Sequence, residues 1–147
     1  MILASNKKAY FDYFILEKYE AGIELKGSEV KSIKAGKVSI KESYVRIMKN
    51  EIVIINMNVT KYDYMKLYEI DEKRTRKLLL HRREINKLSG KVAQGGFTIV
   101  PLSVYIKNGL VKIEIALAKG KKIYDKREEL AKKTQKRDVE RALKEFK

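Results

Sequence analysis

The chain has 147 residues, of which 34 are Lys or Arg and 19 are Asp or Glu, so its formal net charge is +15. Hydrophobic residues make up 44%, which is enough to bury a core in one domain and excludes wholesale disorder. Cysteine is absent, which excludes disulfides and cysteine nucleophiles and indicates a reducing, cytoplasmic compartment. The longest uncharged run, residues 92–106, is shorter than the roughly 18 apolar residues that predict a membrane span. The excess of positive charge predicts a polyanionic partner.

The amino-terminal part predicts one strand followed by one short helix. Residues 9–24 are rich in aromatic and β-branched side chains, which favours a strand that bends near the small residue Gly22. Ser28 is a suitable N-cap for a helix over residues 29–34, and Gly36 is placed to end it.

The middle of the chain predicts a hairpin and then a loop. Apolar residues alternate over 38–47 and again over 52–59, and the polar segment 49–51 between them predicts a turn. Residues 61–75 hold three tyrosines and several charges with little periodicity, which is typical of a long exposed loop.

The next segment predicts a helix and a second hairpin. Apolar residues recur at helical spacing over residues 82–94, with charged residues on the other face. Residues 97–106 and 110–118 are β-rich and are joined through Asn108-Gly109, the strongest short hairpin signal. Pro101 lacks an N–H, so we expect it at a sheet edge or at a bulge.

The composition changes after residue 118. Residues 119–147 contain twelve Lys and Arg against six Asp and Glu, a net of +6, which leaves +9 on residues 1–118. Few large apolar residues occur in this tail, so we expect it to be disordered when free and helical on a partner. The six strand candidates without βαβ alternation predict that residues 1–118 form a mainly β domain. We expect a closed six-stranded antiparallel barrel of the oligonucleotide-binding type, with flanking helices.

No motif in the sequence predicts catalysis. His81 is the only histidine, and neither a nucleophile elbow nor a histidine metal motif accompanies it, so a helix-capping or RNA-facing role is favoured. The carboxylates of Asp12, Glu17 and Glu20 could form an acid–base pair, but a solvated strand edge is the simpler interpretation. We therefore predict no active site, no cofactor and no metal.

Basic residues cluster in four places: 7–8, 74–77, 82–83 and 119–127. Aromatic rings accompany two of the clusters, and rings beside cations suit unpaired bases that stack while Lys and Arg hold phosphates. Solvated charge and core aromatics are the alternative interpretation. Leu78, Leu79 and Leu80 lie between two basic clusters, so we place part of this segment at the border of core and ligand surface and expect at least two of the three leucines to pack in the core.

Five short segments follow one another along the chain: 6–9 (NKKA), 20–23 (EAGI), 27–32 (GSEVKS), 74–84 (RTRKLLLHRRE) and 118–122 (AKGKK) with 125–127 (DKR). This series closely resembles the SsrA-binding protein family, also called small protein B. The segments occur in the family's order and span nearly the whole chain, and the fourth is the most specific. The resemblance implies an RNA-binding protein of trans-translation, with transfer-messenger RNA (tmRNA) and the stalled ribosome as partners.

The resemblance also implies a division of labour. The barrel would bind the tRNA-like domain of tmRNA, and the tail would enter the empty mRNA channel of the ribosome. The predicted RNA-binding residues, from the resemblance and the neighbouring basic clusters, are Asn6, Lys7, Lys8, Glu20, Arg76, Lys77, Leu79, His81 and Arg82. The predicted tail residues for the decoding centre are Gly120, Lys121, Lys122, Tyr124, Asp125, Lys126 and Arg127.

Two other functions remain open from the residues alone. One is an RNA-processing nuclease on a small basic barrel, which the lack of a second histidine or a paired-carboxylate metal site opposes. The other is a generic ribosomal or single-strand RNA-binding protein. Neither a membrane nor a small-molecule substrate is predicted as a partner.

Overall fold

The computed structural model describes residues 2–60 and 73–121, and these contain three helices and nine strands. The predicted loop contacts within residues 61–72 and the tail from Lys122 onward lie outside the described residues. In chain order the elements are β1 (Ile2–Ser5), α1 (Lys7–Asp12), β2 (Tyr13–Ile23), α2 (Gly27–Lys34), β3 (Val38–Ser39), β4 (Tyr44–Met48), β5 (Glu51–Ile55), β6 (Asn58–Val59), β7 (Arg76–Leu79), α3 (Arg82–Ala93), β8 (Thr98–Lys107) and β9 (Leu110–Gly120).

Seven strands form one antiparallel sheet in the order β1-β8-β9-β2-β7-β5-β4, and β3 and β6 form a separate pair. The mainly β fold is confirmed, but the prediction of a closed six-stranded barrel is wrong, because in residues 2–60 and 73–121 the sheet has seven strands and does not close. It curls until β4 contacts β8. Closure would require the two edge strands, β1 and β4, to pair with each other, and the described residues contain no such pairing.

Both predicted hairpins are confirmed. Met48 pairs with Glu51 across a two-residue turn, and Lys107 pairs with Leu110 across another. The turn residues Lys49 and Asn50, and Asn108 with Gly109, all have positive φ, which matches the twist of the strands they join. Each hairpin therefore has its register fixed by local sequence.

Alternate strand residues point inward and build the main core. This cluster includes Ala21 and Ile23 of β2, Leu78 of β7 and Ile113 and Ile115 of β9, which are all buried. Two helices cover this core, because Ile33 of α2 and Ile85 and Leu88 of α3 belong to the same cluster. The helix predicted over residues 82–94 is confirmed, and it ends one residue earlier, at Ala93.

Helix α1 packs on the other side of the sheet and corrects the predicted strand over residues 9–24. Its buried residue Ala9 joins a small cluster with Val100, Leu102, Ala116 and Ala118, whose strand neighbours face the main core. The strand propensity of the aromatic residues is overridden because a helical turn presents Ala9 to these small side chains. Strand β2 therefore begins only at Tyr13.

Smaller differences concern where elements begin and end. Helix α2 starts at Gly27 with Lys26 as N-cap, not Ser28, because the Glu29 carboxylate accepts a hydrogen bond from the Lys26 N–H at 2.8 Å. The pairing of β8 shifts register after Pro101, which confirms the predicted bulge. In residues 2–60 and 73–121, no helix has the length and apolar character to span a bilayer.

Candidate RNA-binding surface

One face of the sheet carries the strand residues that do not pack into the main core. Strand residues alternate between faces, so the neighbours of the buried residues Ala21, Leu78 and Val104 point outward. We call this side the outer face. The register aligns four of its residues in one row across four strands: Leu79 of β7, Gly22 of β2, Lys112 of β9 and Tyr105 of β8.

Leu79 is the apolar centre of the outer face. It is 48% exposed, whereas Leu78 is fully buried and Leu80 packs partly buried against the core. The expectation that at least two of the three leucines pack in the core is therefore confirmed. Leu79 can approach the sheet closely because its partner is Gly22: a Cβ at position 22 would lie 3.3 Å from the Leu79 Cβ.

Glu20 lies two residues before Gly22, on the same face as Leu79. Its carboxylate accepts a hydrogen bond from the Tyr105 hydroxyl at 2.5 Å, and the Lys107 ammonium lies 3.4 Å from the same oxygen. The Tyr105 hydrogen bond and the nearby Lys107 and Lys112 hold the pKa of Glu20 below its ordinary value. Burial, and then the bond to Glu20, raise the pKa of Tyr105, so its hydroxyl remains protonated and able to donate at neutral pH.

Helix α1 places the first basic cluster beside this face. Lys7 and Lys8 are exposed at the start of the helix. Asn6 has an anchoring role, because its N–H donates to the Leu102 carbonyl at 2.8 Å and its side-chain amide donates to the Pro101 carbonyl at 3.1 Å. These bonds attach the helix to the bulge of β8, so Asn6 positions the cluster.

The base of the tail lies against the other end of α1. Gly120 pairs with Tyr13 as the last residue of β9, and the Lys121 N–H donates to the Asp12 carbonyl at 2.9 Å. The Lys121 ammonium lies 5.1 Å from the centre of the Phe14 ring. The predicted boundary at residue 118 therefore falls inside β9. The tail residues Lys122, Tyr124, Asp125, Lys126 and Arg127 lie outside the described part of the chain.

The two arginines of the R-T-R segment pair with Glu29, Arg76 in the interior and Arg74 at its partly exposed edge. Glu29 is fully buried, and its carboxylate accepts from Arg74 Nη2 at 2.6 Å and from Arg76 Nε at 2.8 Å. Arg76 is also fully buried, and its Nη1 donates to the Met57 carbonyl at 2.7 Å. Burial would raise the pKa of Glu29, but the hydrogen bonds from Arg74, the Lys26 N–H and Arg76 outweigh it and lower the pKa.

Arg76, which the sequence predicted to contact RNA, is instead placed inside the protein, where its guanidinium is enclosed and bonded to protein acceptors. Charge alone suggested a surface position, but β7 turns alternate residues inward and Glu29 compensates the buried charge.

The remaining residues predicted to bind RNA, Lys77, His81 and Arg82, have other partners than Glu20. Lys77 points outward and pairs with Glu51 at 3.2 Å. His81 is exposed at the N-cap of α3, where its N–H donates to the Glu84 carboxylate, and this confirms the helix-capping interpretation. Arg82 is exposed and donates to the Asn50 carbonyl at 2.7 Å, so it lies beside the β4–β5 turn.

Sequence reasoning missed the partners of Glu20. Tyr105, Lys107 and Lys112 lie in the second hairpin, and no motif singles them out. The Asn108-Gly109 turn could have located them, because a two-residue turn pairs Lys107 with Leu110 and so Tyr105 with Lys112. Their placement opposite β2, however, depends on long-range pairing that the turn does not specify.

The curled antiparallel sheet, the helix packed on its outer side and the partly apolar, cation-bordered outer face define a small, basic, mainly β protein of the kind that binds polyanions. The sequence model of the family described as "SmpB protein" matches residues 3–145. The chain belongs to this family.

Individual relatives agree with the family assignment. The SsrA-binding protein of Fusobacterium nucleatum subsp. nucleatum is 62% identical over 144 residues, which are 98% of this chain and 97% of the relative. The SsrA-binding protein of Caldanaerobacter subterraneus subsp. tengcongensis is 54% identical over 98% of this chain and 91% of the relative. A chain in the solved structure described as "tmRNA-SmpB: a journey to the center of the bacterial ribosome" is 46% identical. It aligns with a TM-score of 0.66 over 81% of this chain and 84% of that chain.

Proposed function

We propose that this protein is a non-catalytic adaptor that binds the tRNA-like domain of tmRNA and delivers it to stalled ribosomes, in the cytoplasm. Family membership and the names of its relatives support the RNA partner, and the description of the similar solved structure, which names tmRNA-SmpB and the bacterial ribosome, supports the ribosome. One observation assigns RNA binding to the outer face: exposed Leu79 and Glu20 lie there together, beside Gly22.

The outer face offers three kinds of contact to RNA. Leu79 presents an apolar side chain that can support an unstacked base. Glu20 can accept hydrogen bonds from a base amine or a ribose 2′-hydroxyl, which gives selectivity instead of attraction. Lys7 and Lys8 beside it, with Lys112 on the sheet, can bind phosphates.

Competition binding tests this assignment. The full chain should prefer RNA of the tRNA-like domain over unstructured RNA of the same length, and Leu79→Ala should reduce that preference. If about six phosphates are neutralised, the logarithm of affinity should fall with the logarithm of salt concentration with a slope of roughly −4 to −5. Equal affinity for the two RNAs would contradict the proposed function and favour a generic RNA-binding protein.

The tail has a separate proposed role, in which residues 122–147 follow the mRNA channel towards the decoding centre. Its support is the charge of residues 119–147, twelve Lys and Arg against six Asp and Glu, and the similar solved structure whose description names the bacterial ribosome. A truncation should end at Lys121, because this residue still bonds to the Asp12 carbonyl. We expect the truncated protein to retain affinity for the tRNA-like domain and to lose activity in ribosome rescue. A parallel loss of RNA affinity would contradict this separation.

A further inference from the structure

Glu20 belongs to a cluster that spans three strands. Tyr105 lies on β8, and β9 separates β8 from the Glu20 strand β2, so their hydrogen bond crosses the middle strand. Lys107 lies two residues beyond Tyr105 on the same face, with its ammonium 3.4 and 3.5 Å from the two carboxylate oxygens. Glu114, which pairs with Glu20 across the strands, has its own cation in Lys18 at 3.9 Å.

We propose that Tyr105 is a positioning residue for RNA recognition, and that its hydroxyl holds the Glu20 carboxylate in the orientation that accepts N–H or O–H donors of the RNA. This inference rests on the proposed function. An exposed glutamate with three rotatable bonds loses side-chain entropy when it is fixed by a ligand. A hydrogen bond formed before binding removes part of that cost, because the carboxylate is already oriented.

The cluster also explains how an acidic residue serves on a basic surface. Lys107 offsets the charge of Glu20, so the face is not repulsive to RNA at this point. The carboxylate remains an acceptor, so it favours amino, imino or 2′-hydroxyl groups and disfavours phosphate oxygens. By fixing the Glu20 carboxylate, Tyr105 determines which part of the bound RNA must supply the N–H or O–H donor.

The chain contains a matched cluster that serves as a control. The Tyr19 hydroxyl donates to Glu17, and Lys87 of α3 lies 3.2 Å from the same carboxylate. These three residue types repeat the Glu20 cluster, but Tyr19 packs partly buried against the main core, on the side of the sheet opposite to Glu20. Tyr19→Phe therefore removes the same kind of hydrogen bond away from the outer face.

A double-mutant cycle on the full chain tests the proposal. The affinity for RNA of the tRNA-like domain is measured for the wild type, Tyr105→Phe, Glu20→Ala, the double variant and Tyr19→Phe. We use Glu20→Ala because a glutamine at this position would still accept the Tyr105 hydrogen bond. We expect Tyr105→Phe to weaken binding about three- to tenfold in the wild-type background and to have little effect in the Glu20→Ala background. Tyr19→Phe should bind like the wild type. Denaturant unfolding of each variant shows that the affinities are those of folded proteins.

Two results would overturn the inference and leave the proposed function intact. One is a Tyr105→Phe variant that binds like the wild type while Glu20→Ala binds weakly. The other is a Tyr105→Phe loss of the same size in the Glu20→Ala background, which would mean that Tyr105 acts independently of Glu20. If the wild type shows no preference for the tRNA-like RNA, the proposed function fails and this inference fails with it.

Discussion

The two faces of β7 differ although their residues come from one basic, leucine-rich segment. Arg76 and Leu78 point inward and are fully buried, and Arg76 is bonded to Glu29. Lys77 and Leu79 point outward and remain accessible. The comparison shows that one short segment supplies both buried residues of the interior and outward residues of the proposed RNA-binding surface. An inward substitution should therefore affect the free energy of unfolding, and an outward one should affect RNA affinity.

The largest expected effect comes from the inward cluster. Glu29→Gln leaves the guanidiniums of Arg74 and Arg76 facing a neutral amide, and breaking a buried ion pair in this way typically costs about 3 to 5 kcal/mol. We expect a loss of about that size in the free energy of unfolding, measured by urea denaturation. Glu20→Gln is the matched control, because its exposed pair with Lys107 is screened by solvent and should contribute little to stability. Equal losses in the two variants would contradict the distinction between the faces.

The two neighbouring leucines provide a second test of comparable size. Leu78→Ala removes a fully buried side chain and should cost about 2 to 5 kcal/mol of stability. Leu79→Ala should leave the free energy of unfolding within about 0.5 kcal/mol, since the side chain is half exposed. Leu79→Ala should instead reduce affinity for the tRNA-like RNA about tenfold, which corresponds to about 1.4 kcal/mol. A stability loss in Leu79→Ala as large as that in Leu78→Ala would contradict the assignment of faces.

Sequence patterns over a few residues predicted the turns, the helix and the bulge, whose structure depends on residues close together in the chain. The turns at Asn50 and Asn108, the helix after His81 and the bulge at Pro101 all follow from backbone preferences within a few residues. The inward position of Arg76 does not, because it requires Glu29, which is 47 residues away in the chain. The same reason explains why Tyr105, 85 residues from Glu20, escaped the prediction of the site.

Acid should weaken the inward cluster. The pKa of Glu29 is lower in the folded protein than its ordinary value of 4.5, so its carboxylate stabilises the fold fully above that pH. As the pH falls below about 4.5 and through the folded pKa, this contribution is lost. The difference in unfolding free energy between the wild type and Glu29→Gln should therefore be largest near pH 7 and should shrink below about pH 4.5. Urea denaturation across this range measures it, and a difference that is constant with pH would show that the charge of Glu29 is not the cause.

The smallest expected effect concerns the contact between Gly22 and Leu79, which are neighbours on the outer face. Gly22→Ala would place a Cβ 3.3 Å from the Leu79 Cβ, a tight approach that Leu79 must relieve by moving a few tenths of an ångström. We expect RNA affinity to fall by less than about tenfold, because the apolar contact is displaced and not removed. Gly27→Ala is the control, since nothing lies within 4 Å of a Cβ there. If Gly22→Ala binds RNA like Gly27→Ala, the close packing of Leu79 on β2 does not matter for recognition. If instead it loses affinity while Leu79→Ala does not, the sheet surface around Gly22, and not the leucine, is what the RNA contacts.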